Sequence, residues 1–120
     1  MTVKKLAGDR TLYVDCDDTL VMWNLSDYPD SPRVTVSCYG YDSELVPNRE
    51  NVNTLIKFKK LGYIIICWSQ SGADWAEAVA RELCIEEYCD LFITKPSWIL
   101  DDLPTEAWLP AARRIWRQPA

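Results

Sequence analysis

The sequence predicts an α/β domain: a central, mainly parallel sheet with helices on its faces and one small hairpin insert, all within residues 1–120. Three observations predict it. Short apolar runs at Leu12-Tyr13-Val14, Tyr63-Ile64-Ile65-Ile66-Cys67-Trp68 and Leu91-Phe92-Ile93 read as buried strands. Segments of helical periodicity separate them, and strands alternating with helices are expected to lie parallel. Each run also ends in polar residues, where such sheets carry their sites.

Taken in order, the first strand meets the acidic stretch Asp15-Cys16-Asp17-Asp18-Thr19. Residues 22–46 form the insert, with turn chemistry at Asp27-Tyr28-Pro29-Asp30-Ser31-Pro32. The alternation Arg33-Val34-Thr35-Val36-Ser37 predicts an exposed hairpin arm, a flap. Pro47-Asn48 opens the first helix, with Asn48 as N-cap, Val52, Leu55, Ile56 and Lys59 at helical spacing, and Gly62 as the terminating glycine. After the second strand, Asp74 is expected to cap a helix that buries Trp75, Ala76, Val79, Ala80 and Leu83. Beyond the third strand, Trp98-Ile99-Leu100 predicts a fourth and Arg114-Ile115-Trp116 a last edge strand.

Composition narrows the function. The chain is long enough for one packed core, too short for a catalytic domain plus a large lid, and its six tryptophans argue for an ordered interior. A formal net charge of -5 offers no global attraction to nucleic acid or anionic membranes. With no histidine, serine–histidine and cysteine–histidine catalysis are excluded, and so are the usual zinc finger sets. Acid–base work falls to carboxylates, lysine, tyrosine or metal-bound water. The five cysteines include no CxxC pair and read as reduced thiols. The N-terminal stretch has no signal-peptide core, and no segment reaches the length of a membrane span, so a cytoplasmic protein is expected.

The polar strand ends hold Asp15 and Asp17, then Ser69-Gln70-Ser71-Gly72, then Thr94-Lys95, then Asp101-Asp102. Asp15 and Asp17, two residues apart, project to roughly the same side. Carboxylates gathered with Asp101 and Asp102 would repel one another without a cation, and oxygen-only ligands select a hard ion such as magnesium. Ser69 and Lys95 supply a hydroxyl and a positive charge suited to phosphate oxygens.

These segments resemble the motifs of the haloacid dehalogenase superfamily. LYVDCDDTL resembles its first motif, an apolar strand followed by DxDx[TV]; YIIICWSQSG resembles the second; Lys95 before Pro96 resembles the third; and WILDD resembles the acidic fourth. The four occur in order across residues 12–102. The resemblance implies a three-layer, Rossmann-like domain and a phosphatase, a hydrolase of phosphomonoesters. It implies that Asp15 attacks phosphorus and becomes an aspartyl-phosphate, and that Asp17 serves as general acid and then general base. Mg2+ would bind Asp15, the main-chain carbonyl of Asp17 and Asp101, with Asp102 holding a coordinated water. Ser69 and Lys95 would hold phosphoryl oxygens, and Thr19 would support the phosphate loop.

Two departures stand out. Five residues separate Lys95 from Asp101 where the family often places a helix, and residues 22–46 allow a flap but no cap domain. An open site takes a bulky substrate, such as a phosphorylated macromolecular end, or borrows cover from a second subunit in a homodimer. Trp23 and Tyr41 in the insert are the candidates for substrate specificity. A non-catalytic binding module, or transfer to an acceptor other than water, is the competing class of function.

Overall fold

The computed structural model describes residues 10–119. Strand β1 (Thr11–Asp15) leads through a tight loop to the short β2 (Val21–Met22), and a hairpin follows, β3 (Val34–Cys38) and β4 (Tyr41–Pro47). Helix α1 (Arg49–Lys60), strand β5 (Ile64–Ser69), helix α2 (Ala73–Glu82) and strand β6 (Leu91–Thr94) are the α-helices and strands that follow among the described residues. The architecture is an α/β domain with a three-stranded parallel sheet in the order β1-β5-β6 and two α-helices. In register, Asp15 lies opposite Trp68 and Ser69 opposite Thr94, so all three strands end at one edge. A second sheet, antiparallel in the order β2-β4-β3, carries the insert.

Local chemistry explains the helix ends. The buried Asn48 side chain accepts from the Asn51 amide at 3.4 Å, so it is the N-cap of α1. At the other end Gly62 takes φ +94°, and the amide of Tyr63 reaches back to the Phe58 carbonyl. Lys57, Lys59 and Lys60 fill the last turn, where positive charge suits the helix dipole. Lys59 also grips both oxygens of Asp90 at 2.9 and 2.8 Å, and Asp90 accepts the Ile65 amide, tying α1 to β5 and to the entry of β6.

Helix α2 begins differently from the sequence expectation. Its N-cap is Gly72, at φ +108°, and Asp74 sits in the first turn, where a carboxylate still favours the dipole. A Cβ at position 72 would also lie 2.7 Å from the Tyr39 hydroxyl, which would have to shift and strain its bond to the Ser71 carbonyl. The buried face of α2 comprises Trp75, Ala76, Ala78, Val79 and Ala80; three alanines let the helix lie close to the sheet.

The hairpin departs from the exposed arm expected of it. Thr35 and Ser37 face solvent, but Val36 and Leu45 are fully buried and join the main core with Val21, Ile65 and Val79. Burying each such side chain contributes roughly 1.5–3 kcal/mol, so the insert is part of the folded unit. Its turn, Tyr39-Gly40, has positive φ at both positions, which matches the twist a two-residue hairpin needs.

Two expected strands are absent. Residues 98–100 and 114–116 make no strand pairing with any described residue; the chain after Lys95 runs as a strap with 3-10 turns at Thr105–Ala107 and Ala111–Arg113. Trp98 (94 % exposed) and Leu100 (105 %) stand in solvent, so their apolar character is not that of a core strand. Among the described residues, the hydrogen bonds that tie the strap to the domain come from its end: Trp116 Nε1 donates to the Asp18 carbonyl at 2.9 Å, Asn48 Nδ2 donates to the Arg117 carbonyl at 2.8 Å, and the Arg117 amide donates to Asn51 at 3.2 Å. Among the described residues no helix is long and apolar enough to cross a membrane.

Candidate active site

The β1–β2 loop is built around one carbonyl. The amides of Thr19, Leu20 and Val21 all point at the Cys16 oxygen, at 3.2, 2.9 and 3.2 Å. Asp18 closes the turn at φ 59°, a left-handed position that a short acidic side chain tolerates, and its amide reaches the Val21 carbonyl at 2.7 Å. Cys16 and Leu20 are fully buried beneath the loop, while Asp15, Asp17 and Thr19 keep partial access to solvent. Alternation along the chain therefore points the thiol into the core and both carboxylates out of it.

Asp15 stands at the end of β1 with a different neighbour on each oxygen. Thr19 Oγ1 donates to Oδ2 at 3.2 Å, and Lys95 Nζ lies 3.9 Å from Oδ1. The second separation is an ion pair but too long for a hydrogen bond, so the amine retains donors for another anion. Lys95 is held there by its backbone: its amide donates to the Ser69 carbonyl at 2.9 Å, directly beyond β6. Its ammonium also lies 5.8 Å from the centre of the Trp68 ring, within reach of a cation–π attraction. The short link to residue 101 thus does not displace Lys95 from the strand-end cluster.

Ser69 ends β5, fully buried, and its Oγ accepts the Ser71 amide at 3.0 Å. The same residue's carbonyl receives the amides of Gly72 and Lys95, so Ser69 links the β5–α2 loop to β6. Over this loop leans the hairpin tip, where Tyr39 donates to the Ser71 carbonyl at 2.9 Å.

Asp17 has an unusual environment. Its Oδ1 accepts two indole N–H groups, from Trp23 at 2.8 Å and from Trp75 at 3.0 Å. The two rings stack, with centroids 5.8 Å apart and planes inclined by 25°. Trp75 carries a role its helical spacing conceals: the ring belongs to the core at 6 % exposure, yet its polar edge enters the site. The available signal was its place in the first turn after β5, at the polar end of the sheet. Tyr39 was one aromatic among several in the insert, and nothing local marked it as the one to contact Ser71.

The remaining candidates are not brought to this cluster. Asp101 and Asp102 lie exposed on the strap, and Asp101 turns inward on its own segment by accepting the Leu103 amide at 3.0 Å. That hydrogen bond, with one from Asp102, holds the Asp101 carboxyl below its usual range. Among the described residues no three or more acids or thiols are grouped so as to hold a metal ion. Tyr41 is 77 % exposed at the start of β4. Beneath the site, the Cys16 and Cys67 sulfurs lie 3.5 Å apart, and all five cysteines are free. Hydrogen bonding with Cys16 and Cys89, reinforced by burial, pushes the Cys67 thiol far above the ordinary range, so it stays protonated.

Comparison of the chain with protein-family models, with curated proteins and with solved structures returned no match.

Proposed function

We propose that the chain is a magnesium-dependent phosphomonoester hydrolase of the haloacid dehalogenase type, with a Rossmann-like, three-layer fold and an aspartyl-phosphate intermediate on Asp15. One observation carries the reading. At the shared edge of three parallel strands, Asp15 meets Thr19 on one oxygen and Lys95 near the other, with Ser69 at the end of the strand between. A carboxylate with an unspent ammonium beside it suits an attack on a phosphoryl group, a reaction in which positioning and charge neutralisation supply most of the catalysis.

The first step would form a bond from a carboxylate oxygen of Asp15 to phosphorus and break the bond to the leaving oxygen. Asp17 would give that oxygen a proton. In the second step Asp17 would take a proton from water as the water attacks phosphorus, freeing Asp15 and inorganic phosphate. Lys95 would hold phosphoryl oxygens throughout, with the Ser69 hydroxyl close behind it. The donor chemistry fits magnesium, which typically takes one or two carboxylates, the substrate's phosphate and several waters. Asp15 and the Asp17 carbonyl would hold the ion, and Asp101 and Asp102 would join them only through a shift of the strap. When bound, the ion would neutralise charge on the phosphoryl group. The open site would be covered by the hairpin tip, a bulky substrate or a second copy of the chain.

The test is a panel of phosphate esters given to purified protein with and without magnesium. Magnesium-dependent release of phosphate is expected, and Asp15→Asn should lower it at least about a thousandfold, because an amide is not a nucleophile here. Full turnover by that variant would remove the reading. An added alcohol shows whether the phosphoryl group passes to an acceptor other than water, and a protein inert toward every ester would be a binding module.

A further inference from the structure

Two tryptophans bond to one oxygen of one carboxylate. An indole nitrogen can only donate, so Trp23 and Trp75 require Asp17 Oδ1 to accept from both of them. Both lone-pair directions of Oδ1 are then occupied whether or not the carboxyl carries a proton. Any proton on Asp17 must sit on Oδ2, to which no described side chain donates.

The donors come from different elements. Trp75 lies in the first turn of α2, buried, and its ring cannot move without disturbing the helix's packing on the sheet. Trp23 follows β2 at the root of the insert, and its own amide donates to Asp18 at 3.2 Å. Stacked on each other, the rings limit the two torsions by which an aspartate would otherwise turn.

We propose that Trp75 and Trp23 are positioning residues that anchor Asp17 through Oδ1 and leave Oδ2 as the atom that delivers the proton to the leaving group and later takes one from water. The proposal rests on the phosphatase reading and deepens it. A proton-transfer group works only when its reacting oxygen is held within hydrogen-bond reach of its target. A free aspartate would present either oxygen over a range of rotamers; this one presents a single oxygen in one orientation.

The experiment compares two esters. Trp75→Phe keeps an aromatic ring in the core and removes the donor; Trp23→Phe does the same at an exposed position, should the core variant fold poorly. With an alkyl phosphate, whose leaving oxygen must be protonated, kcat/KM should fall about 10- to 100-fold. With nitrophenyl phosphate, whose leaving group departs as a stable anion, kcat/KM should change by less than about threefold. Its kcat should fall, and a burst of nitrophenolate should appear while the aspartyl-phosphate waits for an activated water. A packing role would lower kcat/KM on both esters alike, and that result overturns the anchor, as does no loss on either. Indole resonances give a readout independent of turnover: in Asp17→Ala the Trp75 N–H signal should shift and lose protection from exchange, and an unmoved signal also overturns it. If the wild-type protein cleaves no ester, the phosphatase reading falls first; if it cleaves both and the variants respond alike, the anchor falls alone.

Discussion

At the scale of single residues, the site separates two kinds of aromatic that the sequence presents as equals. Trp23 and Tyr41 both lie in the insert, and both are candidates to grip a substrate. Trp23 bonds directly to Asp17, whereas Tyr41 projects into solvent from the hairpin. Their substitutions should therefore differ. Trp23→Ala should lower kcat on every ester, large or small, but kcat/KM only on those whose leaving oxygen must be protonated, because it removes an anchor from the proton-transfer carboxylate. Tyr41→Ala should leave a small ester such as nitrophenyl phosphate within about twofold and should raise KM only for a substrate long enough to reach the hairpin, since only such a substrate draws on remote contacts. Steady-state kinetics on esters of increasing size makes the comparison. Equal losses from Tyr41→Ala on all of them would assign that side chain to packing.

At the scale of elements, the parallel strands were legible because each is a compact apolar run whose polar successor marks a carboxyl end. Helix α1 was legible from Asn48 to Gly62 for the same local reasons that hold it in place. What was not legible depended on partners distant in sequence. Trp98-Ile99-Leu100 has the composition of a strand, but a strand needs a neighbour to pair with, and no described residue pairs with it. Alternation revealed β3 and hid its burial, because the element packed against β3 is α2, far along the chain, rather than anything local. Position 72 joins these elements most tightly. Its left-handed backbone and the closeness of Tyr39 mean that Gly72→Ala combines strain with a clash, and a loss of about 1–3 kcal/mol is expected from urea unfolding. Measured against the Tyr39→Phe single variant, which already lacks the hydroxyl and its bond to the Ser71 carbonyl, Gly72→Ala should show the part due to backbone strain and none of the part due to the clash. No loss against that variant would show that φ at position 72 costs nothing.

At the scale of the whole molecule, the strap turns a linear arrangement into a closed one. The chain leaves the sheet beside Lys95 and returns to brace the loop bearing Asp15 and Asp17, through Trp116 on Asp18 and Arg117 on Asn48 and Asn51. Ending the chain after Leu109 would strip the buried Asn48 amide of its acceptor and the loop of its brace. The truncated protein should lose about 1–3 kcal/mol of stability. Its activity should fall further than its stability explains, which activity assays well below the unfolding midpoint would show. Unchanged turnover would make the strap an ornament to the site. The stacked pair of Trp23 and Trp75 has a different kind of consequence. Two indoles 5.8 Å apart and inclined by 25° share their electronic excitations, so they should give a coupled pair of bands of opposite sign in circular dichroism. Anything that pulls Trp23 off Asp17 would uncouple those bands, and the protein would report the loss of its anchor in its own spectrum, without a label and before any bond is broken.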